Sequence, residues 1–373
     1  MRIPFNKPFL TGKETTYIEQ AVASGHISGN GHFTKKCQRF FENHFSIKKA
    51  LLTTSCTDAL EMTAILLDVK KGDEIIMPSY TFVSSANAFV LRGAKIVFAD
   101  SKPNHPNIDD TKIEALITPK TKAIVVVHYA GNACDMDAIM TIAKKNNLFV
   151  VEDAAQAIDT YYKGKPLGSI GHLATFSFHE TKNIISGEGG LLAINDEQFM
   201  ERSEIIWEKG TNRSAFFRGE VDKYGWVDIG SSFLPSEITA AFLWAQLENI
   251  KSIQAKRKSH WDYYNKHLAS WATIHNIKQP EVPVSSSNNA HIYYLVCNSG
   301  EQRTALITHL KANGIHAVFH YISLHSSPFF TNKHDGRLLE HSNYYTKCLL
   351  RLPLFYQLNP EVVVQVLLSY NKN

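Results

Sequence analysis

The sequence has no run of 18 apolar residues, so no membrane-spanning helix is expected. Its five cysteines, Cys37, Cys56, Cys134, Cys297 and Cys348, are odd in number and far apart, and they form no C-x-x-C pair. That argues against a disulfide framework or a zinc site and for a reducing, cytoplasmic setting. The first eight residues, Met1 to Pro8, lack the apolar stretch of a signal peptide. No long block of like charges occurs, nor any nucleic-acid-binding motif, so no nucleic-acid partner is expected. The 20 glycines and 13 prolines follow no G-X-Y period, which excludes a collagen-like chain. With 44% hydrophobic and 20% charged residues, a disordered chain is excluded too.

What is present is a chain of 373 residues with a net charge of +4. At roughly 150 residues per domain this suggests two domains. The mild positive charge suits an anionic small-molecule substrate. Short apolar runs rich in Val and Ile read as strands at 73–78, 95–100, 123–128, 148–153, 174–179 and 190–194, with helical patterns at 58–69 and 137–146 between them. That alternation predicts an α/β protein with a mostly parallel, doubly wound sheet. Residues 236–257 read as one long helix. After it the chain turns polar, then gives an apolar run at 291–297 and a helix at about 302–312. This predicts a large domain over 1–250 and a smaller C-terminal α+β domain over 251–373.

Three segments could carry chemistry. In Thr53-Thr54-Ser55-Cys56-Thr57-Asp58 a hydroxyl-rich turn enters a helix. It reads either as a phosphate site or as a plain cap by Thr57 or Asp58. Cys56 could also be a thiolate activated by the helix end. Asp153 ends an apolar strand, where open α/β sheets hold ligands, although a helix cap is equally open. Lys182 follows Phe176-Ser177-Phe178-His179 in a loop before Gly187-Glu188-Gly189-Gly190. It is either a solvated loop lysine or an amine held in a crowded pocket. His179-Glu180 does not complete an H-E-x-x-H metal motif. His316, His320 and His325 lack the usual metal-ligand spacing. No metal is expected.

Taken in order, a phosphate turn, a strand-end aspartate and a later lysine are what pyridoxal 5'-phosphate requires. The sequence T-S-C-T, P-S-Y-T-F-V-S, E-D-A-A-Q, F-S-F-H-E-T-K-N, G-E-G-G, closing with Arg351-Leu352-Pro353-Leu354-Phe355, resembles the DegT/DnrJ/EryC1/StrS sugar aminotransferases of the fold type I PLP-dependent transferases. The resemblance spans essentially the whole chain. It implies that Lys182 bonds the cofactor and moves the proton, and that Asp153 pairs with the pyridinium nitrogen. Gln156 would touch the ring hydroxyl and Phe82 would stack on the ring, unless Phe82 is ordinary core. Ser55, Cys56, Thr57 and Ser177 would hold the phosphate.

The stretches 77–100, 209–219 and 317–322 carry a narrower resemblance, to transaminases of dTDP-linked keto-deoxysugars. L-glutamate is then the implied amino donor and a dTDP-keto-deoxysugar the acceptor. Lys209, Arg213, Arg218, His320, Tyr321 and His325 are the implied sugar-nucleotide residues. For the three cations, a solvated loop is equally open. A homodimer with its site at the interface is also implied. In many relatives an asparagine of the partner subunit reaches the phosphate. The aligned position here is Leu234, which makes Ser231 or Ser232 the candidate replacement.

Overall fold

The computed structural model describes residues 2–370. Twelve strands are present among them: β1 Lys49–Thr53, β2 Glu74–Pro78, β3 Lys95–Ala99, β4 Thr121–Val127, β5 Phe149–Asp153, β6 Tyr161–Tyr162, β7 Lys165–Pro166, β8 Leu173–Ser177, β9 Gly190–Ile194, β10 Tyr293–Val296, β11 Val318–Phe319 and β12 Leu349–Leu352. The central sheet has seven strands in the order β1-β9-β8-β5-β4-β2-β3. Only β9 runs against its neighbours, so the sheet is mostly parallel, as the alternation of strand and helix patterns predicts.

Both faces of this sheet are covered, which explains strands without polar alternation. Ile76, Ile124, Val126 and Val150 point into a core closed by helices His32–His44 and Glu237–Glu248. Ile75, Met77, Val125 and Val151 point the other way, onto helices Cys56–Leu66 and Val83–Val90. Strand β1 was not among the expected strands. It is an edge strand of five residues opening on Lys49, too short to show a period.

Two helix expectations need correction. Ser55, not Thr57 or Asp58, caps helix Cys56–Leu66, its hydroxyl accepting from the Asp58 amide at 3.0 Å. The long helix also breaks, into Glu237–Glu248 and Ile250–His267, with Asn249 outside helical geometry at the joint. Glu237 opens the first piece and is almost fully buried. It accepts from the amides of Gly31, Phe33 and Thr34 at 2.7–3.0 Å, supplying the cap that helix His32–His44 lacks on its own. A Cβ on Gly31 would lie 2.6 Å from that carboxyl group, so glycine is required there.

The core changes along helix Ile250–His267. Ile250 and Ile253 still belong to the large-sheet core, whereas Trp261 and Tyr264 belong to a separate one with Leu306, Leu350 and Val363. That second core lies against the antiparallel sheet β10-β12-β11. A division near residue 250 is proposed on this change. Ile3 also joins the second core and bridges to Ile315, so the amino-terminal segment packs with the C-terminal part.

Candidate active site

Strand register assembles the site. Asp153 pairs with Val127 on one side and Thr175 on the other. Ser177 lies opposite Gly190, which in turn lies opposite Thr53. The carboxyl ends of β1, β5 and β8 therefore bring the hydroxyl-rich turn, Asp153 and Ser177 to one edge of the sheet. Gly190 permits this closeness, because a Cβ there would lie 2.4 Å from the Cys56 nitrogen and the Ser55 backbone.

The turn presents the amino end of helix Cys56–Leu66, whose first amides have no partner within the helix. Thr57 donates to Ser84 at 2.9 Å, and the Ser177 hydroxyl accepts weakly from the His179 amide. Cys56 is not a reactive thiolate, since burial pushes its thiol up to about 12.

Asp153 is buried. Its carboxylate accepts from the Ala155 amide at 3.1 Å and from the Ser85 hydroxyl at 2.6 Å. No helix follows it, which removes the helix-cap reading. Lys182 sits in the loop between β8 and β9, pinned by its amide donating to the His179 carbonyl at 2.9 Å. Burial lowers its pKa from the usual lysine value, and Arg351 adds to that, while Cys56 and Asp153 pull it back up. This is an amine in a crowded pocket, not a solvated loop lysine.

Gln156 is held at both ends of its amide. Its oxygen accepts from the Ala130 amide at 2.7 Å, and its nitrogen donates to the Tyr321 hydroxyl at 3.0 Å. Phe82 is 55% exposed, which rejects the core reading, and its ring centre is 6.2 Å from that of Tyr321. His320 stacks on Tyr321 at 3.6 Å, and its Nδ1 bonds the Tyr129 hydroxyl at 2.6 Å.

The other candidates lie elsewhere in the chain. His325 is buried against Ser79 at 2.7 Å and beside His334, on a short turn, Leu324–Ser326, that bonds the residue following β2. Lys209 pairs with Glu208, and Arg213 lies over the rings of Phe217 and Tyr224. Arg218 pairs with Glu204 and Glu220. None of these bonds is with the Lys182 group. Ser231 and Ser232 bond the Lys209–Glu208 backbone, and Leu234 packs toward Gly29. Among the described residues no group of three acidic, His or Cys side chains could hold a metal.

Tyr80, Tyr129, Ser85 and Arg351 belong to the same constellation and were missed as site residues. Arg351 stands inside the R-L-P-L-F motif, whose sequence marks the family without marking a role for the arginine. The tyrosines carry no motif of their own.

Comparison with known proteins gives the family. Residues 8–369 match the model of the DegT/DnrJ/EryC1/StrS aminotransferase family. The chain belongs to that family. GDP-perosamine synthase of Escherichia coli O157:H7 is 32% identical over 99% of this chain and 98% of its own. The GDP-perosamine synthase of Caulobacter vibrioides is 34% identical over 86% and 85%. Among solved structures, the aminotransferase TlmJ from Streptoalloteichus hindustanus superimposes with a TM-score of 0.90 at 26% identity, covering 98% of both chains. This family member is a sugar aminotransferase that uses pyridoxal phosphate.

The residues present fit that cofactor. The free helix amides and the close approach at Gly190 suit its phosphate. The exposed face of Phe82 suits its ring, Asp153 its pyridinium nitrogen and Lys182 its aldehyde. When bound, the cofactor supplies an electron sink for the carbon whose amino group is exchanged. Asp153 would keep that sink protonated. Lys182, whose pKa burial lowers from the usual lysine value, would be the group that takes and returns the proton. The Gln156–Tyr321 hydrogen bond ties the segment after β5 to the His320–Tyr321 turn.

Proposed function

We propose that the protein transfers the amino group of L-glutamate to dTDP-4-keto-6-deoxy-D-glucose. The products are 2-oxoglutarate and dTDP-4-amino-4,6-dideoxy-D-galactose, a building block for cell-surface polysaccharide such as lipopolysaccharide or enterobacterial common antigen. It would thus be a dTDP-4-amino-4,6-dideoxygalactose transaminase. The observation that carries the reading is the buried Lys182 amine within electrostatic reach of Asp153 and of Cys56 in the hydroxyl-rich turn. Two of the three stretches resembling dTDP-sugar transaminases supply site walls: 77–100 contributes Tyr80, Phe82 and Ser85, and 317–322 contributes His320 and Tyr321. On this reading His320, Tyr321 and His325 serve the sugar side.

Lys209, Arg213 and Arg218 would serve a nucleotide diphosphate in the partner's site. Their segment supports a homodimer, because Phe217, Tyr224, Trp226 and Val227 on it are all more than half exposed, Trp226 by 84%. Ser231 or Ser232 would replace the missing asparagine at the partner's phosphate. Loss of cofactor affinity in neither Ser231→Ala nor Ser232→Ala would remove that role. Five unpaired cysteines support a reducing cytoplasm.

The curated relatives favour a second reading, a GDP-linked keto sugar as acceptor. The test is an assay of dTDP- and GDP-linked keto sugars with L-glutamate, followed by NMR of the product. Preference for the GDP sugar overturns the dTDP assignment. A gluco-configured or 3-amino product overturns the galacto 4-amino assignment.

A further inference from the structure

Asn183 follows Lys182 directly and is buried. Its side-chain nitrogen donates to Gln254 Oε1 and to the Asn289 carbonyl, both at 2.8 Å. A backbone carbonyl only accepts, which fixes the Asn183 oxygen as the atom 2.8 Å from His291 Nδ1. His291 Nδ1 therefore carries the hydrogen and donates it to Asn183. Burial holds the pKa of that ring well below 6.5, and Lys182, Arg257 and Arg351 add to this, so the ring is neutral. Asn289, Ala290 and His291 form one buried turn just before β10. Asn289 donates to the carbonyls of Gln156 and Ile158 at 2.8 and 2.9 Å. The buried Arg257 donates to the carbonyls of Ala290 and His291 at 3.2 and 2.6 Å. Between them Ala290 is held at φ 50°, the left-handed region that a residue with a Cβ enters at a cost.

A strained turn persists only where its surroundings over-determine it, and such turns gather at functional sites. This one grips the residue after Lys182 with one side chain and the backbone of Gln156 with another. Lys182 lies in neither helix nor strand, and its amide makes a single backbone bond, to His179. An aminotransferase lysine must let go of the cofactor and then act as a free amine beside it. During that interval only its backbone anchor keeps the amine in range of the proton it moves. We propose that Asn183, clamped by Asn289 and His291, is the positioning residue of Lys182, and that the Asn289–His291 turn sets the lysine and Gln156 at a fixed separation. All three act through Lys182 and Gln156 and are not catalytic residues. The inference rests on the aminotransferase reading and deepens it by naming what holds the lysine while it works.

Competitive acetylation of the cofactor-free enzyme by acetic anhydride, followed by peptide mass mapping, gives the pH midpoint at which the Lys182 amine becomes reactive. In the unaltered enzyme burial and Arg351 lower that midpoint, against Cys56 and Asp153. Asn183→Ala frees the loop and admits water to the amine, so the midpoint should rise by about one pH unit toward the ordinary lysine value. His291→Leu, which leaves the Asn183 oxygen unpaired, should shift it in the same direction. His291→Asn, whose amide nitrogen stands where Nδ1 stood, should recover most of the shift. In the cofactor-loaded enzyme, Asn183→Ala should slow conversion by saturating L-glutamate on the order of 10- to 100-fold, with the KM for L-glutamate changed less than about threefold. Deuterium on the donor α-carbon should slow the variant by a larger ratio than the unaltered enzyme, because proton transfer by Lys182 becomes the slow step. Side chains that merely support the fold would lower the urea midpoint and leave the acetylation midpoint in place. Should Asn183→Ala fail to fold, the pair His291→Leu and His291→Asn decides. An unmoved Lys182 midpoint in the folded variants, or a shift as large in His291→Asn as in His291→Leu, would overturn the proposal. Acetylation needs neither donor nor sugar, so it reads the positioning role whatever substrates the enzyme takes.

Discussion

Ser85 donates a 2.6 Å hydrogen bond to Asp153, and Thr81 lies 3.0 Å behind Ser85. Since Ser85 spends its proton on the carboxylate, Thr81 donates to Ser85, and the pair orients Asp153 toward the cofactor position. Asp153→Asn keeps the shape but removes the charge that holds a pyridinium proton. Turnover should fall on the order of 100- to 1,000-fold, as when one aimed electrostatic group is removed. Ser85→Ala should cost only about tenfold. Steady-state rates of the two variants check this, and an Asp153→Asn enzyme as active as Ser85→Ala would refute the assigned role.

Gly190 makes the phosphate turn possible. A Cβ there meets the Ser55–Cys56 backbone at 2.4 Å, and backbone cannot swing aside as a side chain can. Overpacking of this kind costs about 1–3 kcal/mol. Gly190→Ala should therefore weaken pyridoxal phosphate binding roughly 10- to 100-fold. Binding of pyridoxal, which lacks the phosphate, should change little. Equal loss for both ligands in a fluorescence titration would mean general damage to the sheet and not to the phosphate turn.

Glu152, one residue before Asp153, faces the other way and is structural. It is fully buried and accepts from His128 Nε2 at 2.9 Å and from the amides of Gly168, Ile170 and Gly171 at 2.5–2.8 Å. The Cys134 amide donates to His128 Nδ1, so Nε2 carries the hydrogen. Burial raises the Glu152 pKa, but these donors outweigh it and the net shift is downward. Glu152→Ala should destabilise the chain by about 3–5 kcal/mol. A urea midpoint shifted by less than about 1 kcal/mol equivalent would show that water or a neighbour satisfies these amides instead.

The sheet strands were legible because Val- and Ile-rich runs between helical patterns leave few alternatives, and β5 and β8 ended within a residue or two of their expected limits. The break at Asn249 was not, because both flanking helices continue the same apolar rhythm. The phosphate turn, Asp153 and Lys182 stand out in the sequence as an ordered set, since the cofactor demands three chemistries at fixed places along one sheet edge, whereas Gln156 comes only with the family resemblance. Arg351 does not stand out. Only the packing of β12 against the Tyr80–Tyr129 cluster reveals its place. The position of His325 was equally hidden, because proximity in sequence to His320 says nothing about the turn that carries it to Ser79.

His291 and His320 tie acid stability to the active site. Burial holds the pKa of each well below 6.5. For His291 the cations Lys182, Arg257 and Arg351 add to this, and for His320 Arg351, His291 and Lys182 do. Folded, both rings stay neutral in mild acid, whereas unfolded they bind protons below about pH 6.5. The unfolded state then binds more protons, so stability must fall as pH falls below that value. Each ring contributes about 1.4 kcal/mol per pH unit once well below 6.5, until its own depressed pKa is reached. Other buried histidines, such as His105 with its pKa lowered to about 4, add to the slope. Comparison with a variant isolates one contribution. His320→Gln keeps an acceptor near Tyr129 without titrating, so its urea-unfolding free energy should lose about 1.2 kcal/mol less between pH 6 and pH 5. Parallel stability profiles for the two proteins across that window would show that His320 protonates freely in the folded state, against its packing between Tyr129 and Tyr321.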